Sequence, residues 1–154
     1  MQKRLTRAEV PVAATWSLND LFPSETAWEV EYLALDQARV ALGGFQGQLA
    51  SSAARLLACL DAVEAVQARM MRFSTFAYLR NAQDGSNPEY QAAIARVAAL
   101  GARISASVAF VDSEILAMPD GLLEQCMASE PGLSVHQLPL QRLLELRPHR
   151  LGAD

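Results

Sequence analysis

The run from Pro88 to Ala117 constrains this chain most. Tyr90, Ile94, Val97, Gly101, Ile104, Val108, Val111 and Ile115 recur alternately at four and three positions, which places them on one face of a continuous helix. Such a run spans about 45 Å at about 1.5 Å per residue. Its start is marked by Asp84 to Pro88 (DGSNP), in which Gly85 permits a turn, Asn87 can cap and Pro88 takes a first helical position where its missing amide costs nothing. Gly101 lies inside the seam at a helix-propensity cost of about 1 kcal/mol relative to Ala. Close approach of a partner helix is the expected compensation, because Ala98, Ala102, Ser105 and Ala106 also keep the surface shallow. A seven-residue pattern allows a coiled-coil dimer as well, but the scattered Ala, Ser and Phe110 on the other faces favour packing within a bundle.

The rest of the chain supplies partners for that helix. Trp28, Tyr32, Leu35, Ala38 and Leu42 share one side of a helix from Thr26 to Leu42, stopped by Gly43 and Gly44. Ser51 or Ser52 then starts a helix through Leu56, Leu57 and Leu60. Asp61 and Glu64 have the spacing of a capping box, so either a new helix begins at Ala62 or the first continues through Val63, Val66, Met70, Phe73, Ala77 and Tyr78. Pro119 to Gly121 precede a short helix, Leu122 to Ala128, which Glu130 to Gly132 (EPG) ends. A last helix uses Leu138, Leu140, Leu143, Leu144 and Leu146, and must start just before Pro139, since an interior proline costs about 3 kcal/mol. No stretch shows the period-two alternation of strands. The predicted fold is all-α: an antiparallel bundle of about five or six helices over residues 24–150, after an extended arm (1–23) and before a short tail (151–154).

That arm contains Thr15 to Ser24 (TWSLNDLFPS). Ser24 or Thr26 can cap the next helix, whose first turn carries Glu25 and Glu29 where the helix field favours acids. Trp16, Leu18, Leu21 and Phe22 are expected to anchor the arm on a helical surface.

With 154 residues, a net charge of -4, 51% apolar and 6% aromatic residues, the composition excludes a disordered or nucleic-acid-binding chain. Lys3, Arg4 and Arg7 read as a solvated terminus. Pro11 interrupts Val10 to Ala14, so no secretion signal is expected, and no uninterrupted apolar run reaches the length of a membrane span. Cytoplasmic location is the expectation, with no membrane partner and with Cys59 and Cys126 as buried thiols.

The residues that could do chemistry are sparse. A hydrolytic zinc site calls for two His one helical turn apart with a Glu between them, whereas His136 and His149 are followed by Gln137 and Arg150. Asp61 with Glu64, and Asp112 with Glu114, stand too close together to oppose each other across a substrate. Gly43 to Gly47 (GGFQG) follows a helix and lacks the Lys of a nucleotide loop. The expected catalytic, cofactor and metal residues in this chain are therefore none.

Four stretches in order carry a resemblance. TWSLNDLFPSETAW (15–28) resembles the opening of the oligoendopeptidase F family of zinc metallopeptidases, with its two tryptophans and Asp-Leu-Phe-Pro. FAYLRNAQDGSNPEYQ (76–91) is similar to the family's tyrosine-containing helix, Asp-bearing break and next helix. FVDSEILAMP (110–119) resembles the end of its long helix, and LLELRPHRL (143–151) its Arg-Pro-His-x-Leu passage. The resemblance implies packing roles for Trp16, Asp20, Leu21, Phe22, Pro23 and Trp28 in the arm. It implies that Phe76, Tyr78, Phe110, Glu114, Ile115 and Leu116 hold the lobe together, and that Pro148, His149 and Leu151 lead toward a following domain. Pro139 and the Gly-Ala-Asp ending depart from the family's course.

The same resemblance implies a non-catalytic N-terminal helical lobe of a cytoplasmic peptidase. The His-Glu-x-x-His helix and downstream Glu that bind zinc in the full-length enzyme, which hydrolyses short peptides, would belong to a C-terminal peptidase domain. Two alternatives remain at this point: a free-standing helical interaction or oligomerisation module, forming a homodimer through an exposed apolar helix surface, and an enzyme using His136 or His149 as a base.

Overall fold

The computed structural model describes residues 9–146. The chain forms α1 (Glu25–Leu42), α2 (Ala53–Gln83), α3 (Pro88–Val108), α4 (Phe110–Ala117), α5 (Leu122–Ser129) and α6 (Gln137–Leu146). Tighter 3-10 turns occupy Val12–Ala14, Gly43–Phe45 and Pro131–His136. Among the described residues there is no strand, and the fold is all-α.

Side-chain caps set the starts of three helices. The amide of Ala27 donates to Ser24 Oγ at 3.1 Å, so Ser24 and not Thr26 caps α1. Ser52 Oγ accepts from Arg55 N at 3.1 Å at the head of α2, and Asn87 Oδ1 from Glu89 N at 2.9 Å at the head of α3. Pro139 falls in the first turn of α6, where its missing amide is tolerated.

Of the two courses open at Asp61, the structure takes the straight one: α2 is a single helix of 31 residues. The spacing that could form a capping box instead places two carboxylates on one helical face. The seam from Pro88 is parted once, at Ala109, whose amide reaches the carbonyl of Ala106 at 3.5 Å rather than the one four residues back. The run Pro88–Ala117 is long and apolar enough to cross a membrane by length and composition, an 18-residue stretch of it having a mean hydropathy of 1.6. It is not an uninterrupted apolar stretch, since Arg96 and Arg103 fall inside it. Both arginines are held by acids of α1.

The described residues fall into two compact units, 9–37 with 67–103 and 38–66 with 104–146. In the first, ion pairs give the helix directions. Glu25 and Glu31 of α1 meet Arg80 and Arg69 of α2 in reverse order, and Glu29 and Asp36 meet Arg96 and Arg103 of α3 in the same order. Thus α1 and α2 are antiparallel, and α1 and α3 parallel. Trp28 is buried between them, stacked on Phe73 with centroids 4.3 Å apart, and its Nε1 donates to the Phe73 carbonyl at 3.0 Å. Arg69 and Arg96 are bidentate, yet these pairs lie near the surface, where each contributes about 0–1 kcal/mol.

Gly101 does not mark a tight crossing. A Cβ built there would find Met70 Cε at 3.5 Å, an ordinary contact, so the expected close backbone approach is not what retains glycine. Gly101→Ala should therefore raise stability by about 0.5–1 kcal/mol through helix propensity, read as a higher urea midpoint. A lower midpoint would show that Met70 cannot yield.

Glu29 adds a pH dependence. The hydrogen bond from Arg96 holds its carboxyl below the ordinary value of 4.5. A depressed folded-state pKa contributes stability above the unfolded value, which is lost as pH falls through the lowered one. Solvent screening at this half-exposed pair keeps the effect under about 1 kcal/mol. Stability should accordingly fall less between about pH 6 and pH 3 in Glu29→Gln than in the parent chain, as followed by urea melts at each pH.

The second unit closes over Leu49, Leu56, Ile115, Leu123, Leu133 and Leu140, each at most 1% exposed. In α6 only Leu140 is fully buried; Leu138 and Leu146, expected on the apolar face, are exposed. Glu114 Oε1 and Oε2 accept from the amides of Gly47 and Leu49 at 2.5 and 3.4 Å, holding the loop after α1, where Gly47 has φ +76°. Arg55 lies 4.2 Å over the Phe45 ring and donates to the Gly44 carbonyl at 2.7 Å.

Candidate functional site

The arm and α2 form concave surfaces of the first unit. Phe22 is the arm's anchor, buried edge-on against Phe76 at 5.4 Å with Arg72 4.8 Å over its ring. Trp16 is not: it is 89% exposed, contrary to the packing role expected of it, and follows a local turn closed by a 2.7 Å bond from the Thr15 hydroxyl to the Val12 carbonyl. Trp16, Leu18 and Leu21 instead line an open groove of about 720 Å³ with Thr75 and Leu79 of α2. None of the described lining residues is ionisable. Such a surface can bury an apolar side chain; it has no group to move a proton.

On the arm's other side a cleft of about 480 Å³ is lined by Asn19, Ser24, Glu25 and Arg80. Arg80 is fixed there by Glu25 at 2.9 Å and lies 4.4 Å over Tyr90. Asp20 and Pro23 are exposed in the intervening turn, and Tyr78, expected on the buried face of α2, is 53% exposed.

In the second unit, Phe110 is half-buried against the core and Glu114 holds the loop amides. His136 is buried at 8% exposure, with Nε2 2.9 Å from Asp61 Oδ1. The two lie 75 positions apart, so no local signal joins them. Burial pushes the Cys59 and Cys126 thiols up, which leaves them protonated and poor nucleophiles at neutral pH. Pro148, His149 and Leu151 lie outside the described residues.

Comparison with known proteins agrees with the resemblance. No family model matches the chain. It is 31% identical over 146 residues to oligopeptidase PepF of Bacillus subtilis, covering 95% of this chain and 22% of that protein. Group B oligopeptidase PepB of Streptococcus agalactiae is 26% identical over 96% of this chain and 25% of its own length. The crystal structure of oligoendopeptidase-F from Enterococcus faecium superposes with a TM-score of 0.72 at 29% identity, over 84% of this chain and 26% of that one. A solved structure from Chlamydophila abortus reaches a TM-score of 0.81 over 96% of this chain, which at 19% identity speaks for the fold alone. The chain thus matches a short N-terminal part of the oligoendopeptidase F, PepF and PepB enzymes, and spans about a quarter of their length.

The residues present do not fit the catalytic zinc that the resemblance implies for the full-length enzyme. His136 ends a 3-10 turn with its imidazole against Asp61, and no His-Glu-x-x-His occurs in the 154 residues.

Proposed function

We propose that this chain is the non-catalytic N-terminal helical lobe of an oligoendopeptidase F-like metallopeptidase. The full-length form would hydrolyse short peptides in the cytoplasm at a zinc ion held by a C-terminal domain. The observation that carries this reading is the disparity of coverage: 31% identity runs along 95% of this chain yet takes up 22% of the matched peptidase. In this reading residues 24–150 are the lobe, Leu21, Phe22, Trp28, Phe110 and Glu114 serve its packing, and Asp20 and Pro23, expected to pack, shape the exposed turn before α1. Trp16 and Tyr78 belong to its outer surface, and Pro148 and His149 lead toward the peptidase domain.

The lobe's exposed apolar residues support a covered face. Val30 and Leu33 of α1 and Met71 of α2 are each more than 60% exposed, and a peptidase domain or a second copy would bury such residues. Such a face self-associates in the isolated chain under either view, and sedimentation showing a strict monomer at high concentration would count against it.

The purified chain with added zinc should not turn over peptides. Grafted in place of the matching segment of the Bacillus subtilis oligopeptidase, it should restore peptide hydrolysis to a version lacking that segment. Peptidase activity of the isolated chain that survives repurification would overturn the proposal and point instead to His136 or His149 as a base.

A further inference from the structure

We propose that Asp61, Glu64 and His136 bind one divalent transition-metal ion, which ties the 3-10 turn Pro131–His136 to α2. The inference is independent of the peptidase reading, since it concerns a site built wholly within this chain and remote from any His-Glu-x-x-His motif.

Geometry and burial carry it together. Asp61 and Glu64, three positions apart on α2, present their carboxylates on one face, and His136 is delivered to them by the turn before α6. One ligand atom from each lies within 4.8 Å of the other two. His136 is the buried polar side chain of the described residues, at 8% exposure, while both acids are exposed. Packing therefore fixes the imidazole, and Nε2 points outward at the carboxylates that solvent and ions can reach. A preset nitrogen and two adjustable oxygens suit capture of an ion from solution.

The required rearrangement is small. Tetrahedral bonds of about 2.0–2.1 Å separate ligand atoms by about 3.3–3.4 Å, so the 2.9 Å contact between His136 and Asp61 opens slightly and Glu64 swings inward. Water completes the fourth position. Two carboxylates neutralise a dication, and the neutral imidazole selects zinc and its neighbours over magnesium or calcium, which prefer all-oxygen shells. Because the ligands come from segments 75 positions apart, the bound ion closes a long loop and stabilises the folded chain in proportion to its occupancy.

Calorimetric titration of the tag-free chain with zinc chloride tests this, alongside thermal melts in zinc and in magnesium. Expected are one zinc per chain and a melting temperature raised by zinc and not by magnesium. Glu64→Gln, at an exposed position, should leave the metal-free melt unchanged and weaken zinc binding at least about tenfold; Asp61→Asn should weaken it similarly. His149→Ala should bind as the parent does. Absence of saturable zinc binding would overturn the proposal, and so would parental affinity in both Glu64→Gln and Asp61→Asn.

Discussion

Trp28→Ala should lower the unfolding free energy by about 3–5 kcal/mol, the range for removing a large aromatic side chain from a packed interior. Trp28 is 2% exposed, lies parallel to Phe73 with an interplanar angle of 4°, and is 6.4 Å from Phe76. Alanine would leave a cavity facing all three helices of the first unit and strand the Phe73 carbonyl that the indole N–H now satisfies. Arg96, 5.1 Å over the indole, would lose that face as well. Trp28→Phe separates the contributions: it keeps the stack, loses the hydrogen bond, and should cost about 1–2 kcal/mol. Urea unfolding followed by far-UV circular dichroism measures both. A Trp28→Ala cost below 1 kcal/mol would mean that Trp28 does not organise these helices.

The second large effect is expected at Glu114, where Glu114→Ala should cost about 1.5–3 kcal/mol. One carboxylate accepts from an exposed and a part-buried amide of the loop that joins α1 to α2, and charge-assisted bonds are stronger than neutral ones. Without it, the part-buried Leu49 N–H is left unpaired beside the fully buried Leu49 side chain, while the exposed Gly47 N–H turns to water. Glu114→Gln, keeping one acceptor oxygen, should recover part of the loss. Faster amide exchange confined to residues 46–51 would locate the effect; an unchanged exchange pattern and melt in Glu114→Ala would contradict it.

What could be read from sequence was what depends on neighbours along the chain. Asn87 and Pro88 announced the start of α3 because a cap and a first-turn proline act within a few positions. The four-and-three seam brought Val97, Ile104, Val111 and Ile115 to the buried side for the same reason. Asp61 and Glu64 were ambiguous because one spacing serves both a capping box and a carboxylate pair on a continuous helix. Trp16 shows the limit of arguing burial from size: its indole is exposed, and nothing in the neighbouring residues says which way it points. The contacts of His136 with Asp61 and of Glu114 with Gly47, across 75 and 67 positions, leave no local trace and needed the fold. The resemblance to oligoendopeptidase F, carried by four ordered stretches, was legible because its motifs are contiguous.

Reading the gene beyond the Asp154 codon tests most directly whether this lobe belongs to a peptidase. The proposed function predicts an open frame that continues for several hundred codons and encodes His-Glu-x-x-His with a downstream Glu. A stop codon soon after Asp154, with no peptidase region following, would contradict it.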